Sequence, residues 1–164
     1  MSPDELDPVA KAPQDNLDQR YTDQAVINAL AESGFSGPLY GWFEYELSRY
    51  GVNMIASWIK SGKIWGHCRK RGFGLLVTDI DRSHLQADQW QAAHDLASST
   101  VVVTLEKFRK LALLERRWNA DGGTTITTFF MGLVAYTFPN EYRQWRTSRD
   151  ETSAPAAGWS SRPR

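Results

Sequence analysis

The feature that most limits what this chain can fold into is an apolar stripe in its second quarter. Leu39, Trp42, Phe43, Leu47, Tyr50, Met54, Ile55, Trp58 and Ile59 recur at spacings of three and four residues. That spacing collects them on one side of an α-helix but scatters them over both faces of any strand. Pro38 suits the first turn of this helix, and Gly62 is a stop or kink. A shorter stripe precedes it: Val26, Ile27, Leu30 and Ala31 share one face, with Thr22 or Asp23 as N-cap and Gly34 at the C′ position. Lys63 to Arg71 extends the long helix, with Ile64, Trp65 and Cys68 inward, until Gly72 and Gly74 break the pattern. A loop is expected from there to about Asp88.

A third stripe of about 25 residues runs through Trp90, Ala93, Ala97, Val101, Thr104 or Leu105, Phe108, Leu111 and Ala112. A fourth runs through Phe129, Phe130, Leu133, Val134, Thr137 and Phe138, with Thr124 or Thr125 as N-cap. Pro139 ends or kinks it before Tyr142 and Trp145 continue an amphipathic segment. Two stretches argue the other way. Thr100 to Thr104 (TVVVT) is β-branched throughout, and Asp121-Gly122-Gly123 followed by TTITTFF carries a hairpin signal. The helical spacing on both sides outweighs them. The expectation is an all-α fold, a compact bundle of about four to five helices over residues 21–149. Disordered tails are expected on either side, an acidic one at 1–20 and a Pro/Ser-rich one at 150–164 containing Trp159.

Charge bears on function. Nineteen Lys and Arg balance nineteen Asp and Glu, which at first sight argues against a nucleic-acid binder. The balance is a cancellation: residues 1–48 sum to −7, while 49–82 and 101–149 sum to +5 and +4. The acidic tail can also fold back over the basic face and compete with DNA. One cysteine, Cys68, precludes an intramolecular disulfide, no stretch approaches a membrane span, and no secretory signal is present, so a cytoplasmic protein without a membrane partner is expected.

Catalytic and metal signals are weak. His67 and Cys68 are adjacent, His84 and His94 have no ligand-spaced partners, Gly72-Phe73-Gly74 and Gly122-Gly123 lack the rest of a phosphate loop, and no nucleophile motif occurs. No catalytic residue, metal or cofactor is expected. What remains is a basic stretch interleaved with aromatics: Lys107, Arg109, Lys110, Arg116-Arg117-Trp118, and later Arg143, Arg146 and Arg149. Cations of this kind meet phosphates, and aromatic surfaces receive unstacked bases.

Asp95 to Trp145 resembles region 2 of bacterial RNA polymerase sigma factors of the extracytoplasmic-function type. Asp95-Leu96, Thr100, Leu105, Lys107 and Phe108 match that family's acidic-Leu helix with its basic-aromatic end. Asn119 to Gly123 matches its "D-P-x-x-G" loop, Ile126 and Phe129-Phe130 its "F-x-x-W-L", and Leu133-Val134 its "I-A". Ser98-Ser99 stands where the family has a Gln-acidic pair, and no helix-turn-helix domain follows in this sequence. The resemblance implies a stand-alone region 2 acting in transcription initiation. Asp95, Leu96, Ser99, Val102 and Val103 would dock on the clamp helices of the largest subunit of the RNA polymerase core. Single-stranded −10 promoter DNA would be held by Lys107, Arg109, Lys110, Arg116, Arg117, Trp118, Asn119, Asp121, Phe129, Arg143 and Arg146, with one base flipped into a pocket around Arg116 to Asp121. An anti-sigma or accessory protein is a further partner of that family. The runner-up reading is a non-catalytic helical interaction module, regulatory or decoy, that uses exposed aromatics for a protein partner and binds no DNA.

Overall fold

A computed structural model describes residues 13–87 and 91–153. The readings placed on residues 1–12 and 154–164, on Trp90 and on Trp159 lie outside the described residues. The fold is all-α, with six α-helices among the described residues, one or two more than the sequence suggests. They are α1 (Pro13–Glu32), α2 (Gly37–Ser61), α3 (Lys63–Lys70), α4 (Asp79–Leu85), α5 (Gln91–Phe108) and α6 (Ile126–Ser153). Alpha-helix α5 continues directly into a π-helical stretch, Arg109–Leu114, where the Glu115 amide donates to the Lys110 carbonyl five residues back.

Helices stop where glycine permits the left-handed conformation. At the end of α1, Gly34 has φ +67°; its amide donates to Ala31 O and the Phe35 amide to Leu30 O, the paired bonds of a Schellman motif. Leu30 and Phe35, which close that motif, are both buried. The same pair recurs after α3, where Gly72 and Phe73 donate to Arg69 O and Cys68 O.

Three long helices form the centre. Gly51 of α2 faces Val101 and Phe130, Phe43 meets Phe108, Phe108 meets Phe129 and Phe130, and Thr104 meets Thr137. These pairings run α2 antiparallel to α5 and α5 antiparallel to α6, with α5 in the middle. The β-branched TVVVT segment lies inside α5. Thr100 and Thr104 turn their hydroxyls back on Leu96 O and Thr100 O at 2.7 Å, and Val101 is buried. Burying such a side chain is worth about 1.5–3 kcal/mol, more than the few tenths by which β-branching disfavours a helix.

Three expectations are corrected. Residues 13–20 are helical rather than tail, because Pro13 occupies the first helical position, where its missing N–H is not needed, and Arg20 is anchored on Ala120 O at 2.9 Å. Residues 150–153 likewise belong to α6. The stretch read as a loop contains α4, capped by Thr78, whose hydroxyl accepts the Asp81 amide at 3.1 Å. Pro139, expected to end or kink its helix, does not end it: α6 runs on to Ser153, and Phe138 and Tyr142 on either side of the proline pack on Trp65 of α3.

Asp23, read as the cap of its own helix, instead caps another. Its Oδ2 accepts the first amide of α6, Ile126 N, at 2.8 Å, beside Thr125, whose hydroxyl accepts the Thr128 amide. Replacing Asp23 with Ala should lower stability by about 1 kcal/mol, read as a reduced urea midpoint at unchanged m-value.

Candidate nucleic-acid interface

The connection between the π-helical stretch and α6, residues 115–125, is built from the inside out. Trp118 is buried, and its indole N–H donates to Thr124 O at 2.9 Å. That bond ties the two ends of the connection together. Asn119 caps the short 3-10 turn Ala120–Gly122 by accepting the Asp121 amide. Ala120 is buried and is gripped by α1 on both its polar groups, its N–H by Gln24 Oε1 at 3.0 Å and its carbonyl by Arg20. Arg116, Arg117, Asn119 and Asp121 remain exposed on the outer rim.

Phe35 gathers two of the basic residues. Arg109 donates to its carbonyl at 3.3 Å and lies 5.7 Å from the Tyr40 ring, while the Arg116 guanidinium sits 5.9 Å from the Phe35 ring. Arg116 holds this position with φ +56°, a conformation a non-glycine residue adopts only when its surroundings enforce it. Arg117 makes a 3.5 Å surface contact with Glu115. Lys107, Arg109 and Lys110 line a shallow depression of about 530 Å³ together with Glu106, Val103, Leu111 and Leu114, and Lys107 also lies 5.7 Å from the Tyr136 ring.

Not every residue singled out in the sequence joins this surface. Asp95, Ser99, Val102 and Val103 form one exposed stripe along α5, but Leu96 is 1% exposed and belongs to the core. Trp118 is a packing residue and offers no open face to a base. Phe129 is half-buried against Phe108. Arg143 and Arg146 stand 17 and 20 residues along α6 from Ile126, roughly 25 and 30 Å at 1.5 Å per residue, so they form a separate patch. Arg146 is further committed to Asp81 at 3.5 Å, and Arg149 pairs with the same carboxylate.

Asp81 is the residue sequence reasoning passed over. It is fully buried, accepts the Tyr142 hydroxyl at 2.6 Å, and is shared by the two arginines. Burial alone would raise its pKa, but the Tyr142 hydrogen bond and the Arg149 guanidinium outweigh that and hold the carboxyl below its ordinary value. The available signal was Thr78-x-x-Asp81, a capping-box spacing. Arg20 and Gln24 were missed too, and nothing local marks them.

His67 Nε2 lies 3.0 Å from Met131 O, so this nitrogen carries the hydrogen, and the ring packs on Trp58. Burial pushes the Cys68 thiol up to about 12, which keeps it protonated and unreactive at neutral pH. Among the described residues, no three His, Cys, Asp or Glu side chains are grouped to hold a metal ion, and no helix is long and apolar enough to cross a membrane.

No protein-family model, curated protein or solved structure matches this chain.

Proposed function

We propose that the protein is a sigma-region-2-like factor that binds RNA polymerase core and melted −10 promoter DNA. The observation that carries this reading is the antiparallel α2–α5–α6 packing, with the rim of Arg116, Arg117, Asn119 and Asp121 at the α5–α6 junction. A β-hairpin across residues 100–130 would have removed the basis of the resemblance; that span instead holds the end of α5, the π-helical stretch, the capped connection and the start of α6. The exposed Asp95–Ser99–Val102–Val103 stripe offers a docking face for the polymerase clamp helices, and it runs directly into Lys107, Arg109 and Lys110. Protein contact and strand contact would then be continuous along one helix.

The strand-binding set is narrower than the sequence suggests. Lys107, Arg109, Lys110, Arg116 and Arg117 supply cations, while Asn119 and Asp121 supply polar rim groups. With Trp118 buried, stacking falls to exposed rings such as Tyr136 at 45% exposure.

Affinity pulldown with purified core polymerase tests the reading. Retention at low salt is expected, and its absence from a chain whose helicity is intact by circular dichroism rejects it. Replacing Arg116 and Arg117 together with Ala should weaken single-stranded DNA binding and reduce the slope of log K against log salt by about 1.4, since each phosphate contact contributes about 0.7 on a single strand. Fluorescence anisotropy over a salt series reads both, and an unchanged slope would place the phosphates elsewhere.

A further inference from the structure

A second surface lies on the acidic side of the molecule, beyond the DNA and polymerase reading. Between α1, α2 and the start of α6 runs a groove of about 220 Å³ lined by Val26, Trp42, Phe43, Leu47, Tyr50 and Ile126, with Asp23 and Glu46 among its margins. Leu39 and Trp42 stand beside it at 47% and 58% exposure, and Tyr45 lies farther round α2 at 62%. Residues 17–49 carry five acidic side chains, Asp18, Asp23, Glu32, Glu44 and Glu46, against Arg20 and Arg49; Arg20 is already spent on Ala120 O and Arg49 on a surface pair with Glu46.

Size and charge select the occupant. Small-molecule sites usually enclose about 300–1,000 Å³ and bury most of their ligand. This groove is smaller and leaves its neighbouring Leu39 and Trp42 uncovered, which suits one or two side chains of a larger body. The chain's own ends fit poorly. Residues 1–12 carry Asp4, Glu5 and Asp7 against Lys11, the same sign as the groove margin. Trp159 follows Ser153, which lies 27 residues and roughly 40 Å along α6 from the groove, and the six intervening steps span at most about 21 Å. A second copy presenting the same face would set carboxylates against carboxylates.

We propose that this groove docks a cationic amphipathic helix of a partner protein. An apolar side chain would seat among Trp42, Leu47 and Tyr50, and a Lys or Arg residue would lie over the Glu46 carboxylate. This is the helix-in-groove mode, in which apolar anchors give affinity and the charged rim gives partner choice. The Glu46–Arg49 pair, 2.9 Å apart but exposed on both sides, is the kind of surface ion pair that contributes little, so Glu46 can exchange it for an incoming cation.

Isothermal titration calorimetry on the full chain tests this, using a 14-residue synthetic Leu/Lys amphipathic helix, its Leu/Glu counterpart and benzyltrimethylammonium as probes. The expected result is saturable 1:1 binding of the Leu/Lys helix and none of the Leu/Glu helix. Binding should weaken at least tenfold in Trp42→Ala and in Glu46→Lys, and stay unchanged in Glu141→Lys, which alters net charge equally on α6. Both groove positions are solvent-facing, and circular dichroism checks their fold; Leu39→Ala, which removes apolar surface without adding charge, gives the same readout should Trp42→Ala unfold. The proposal fails if the Leu/Lys helix does not bind, or if Glu141→Lys weakens it as much as Glu46→Lys. Small-cation binding as tight as the peptide's would reassign the groove to a small ligand, and a concentration-dependent dimer abolished by Trp42→Ala would reassign it to a second copy.

Discussion

Replacing Asp81 with Ala should destabilise the protein by about 3–5 kcal/mol, the range for breaking a buried ion pair from one side. The loss arises less from the missing attraction than from what stays behind. Arg149, whose side chain is only 18% exposed, would keep only one carboxylate, the exposed Asp150 at 3.2 Å, and the Tyr142 hydroxyl only a 3.4 Å approach to Leu76 O. Replacing Asp81, Arg149 and Tyr142 together with Leu, Met and Phe should recover most of the loss, because a packed apolar trio leaves no buried charge, and Arg146, 39% exposed, keeps its water. Urea denaturation of the single and triple variants measures both. The pH dependence follows from the lowered Asp81 pKa. A carboxyl with a depressed folded-state pKa contributes stability that is fully present above its unfolded value, about 3.9, and is lost as pH falls through the folded value. Wild-type stability should therefore fall off below about pH 4, and the triple variant should lack that part of the acid sensitivity.

Phe130→Ala should cost about 3–5 kcal/mol, since the ring is fully buried between Phe108 and Gly51 and its removal leaves a cavity at the three-helix crossing. Gly51 sharpens the prediction. A Cβ there would stand 2.8 Å from Phe130 Cε1 and 3.1 Å from Val101 Cγ2, closer than packed carbon atoms tolerate. Gly51→Ala should accordingly destabilise by about 1–3 kcal/mol, although alanine is the better helix former by about 1 kcal/mol. In the Phe130→Ala background the tighter obstruction is gone and only the 3.1 Å approach to Val101 Cγ2 remains, so Gly51→Ala should cost less than it does in the wild type. A double-mutant cycle in urea reads that coupling, and additive costs would show that the two residues do not meet.

The helices were most legible where pattern and punctuation agreed. Alpha-helix α2 shows it best: its stripe, Pro38 and Gly62 are all visible in the sequence, and Gly62 takes the left-handed φ of +82° at its end. Legibility failed where tertiary contact decided the outcome. The Asp121-Gly122-Gly123 run looks like a hairpin turn, yet Asn119 caps it as a 3-10 turn and Trp118 and α1 hold it in place. Pro139 forfeits a helical hydrogen bond, a loss of about 3 kcal/mol, and α6 continues because Tyr142 is fastened to Asp81 and Trp65 beyond it. The basic residues read as one face because sequence records their sign but not that α6 runs unbroken past Pro139 and carries Arg143 and Arg146 away from the α5–α6 connection. Arg146 and Arg149 turned out to be structural partners of a carboxylate whose burial no local pattern announces.

The grip of α1 on Ala120 and Ile126 makes the α5–α6 connection depend on a segment about a hundred residues earlier in the chain. Docked α1 and an ordered connection are then two descriptions of one equilibrium. A ligand that favours the ordered connection by some factor must strengthen the docking of α1 by that same factor, because coupling free energy is reciprocal. Amide hydrogen exchange along α1, a helix that need touch no nucleotide itself, would therefore slow in proportion as the rim of Arg116 to Asp121 is filled.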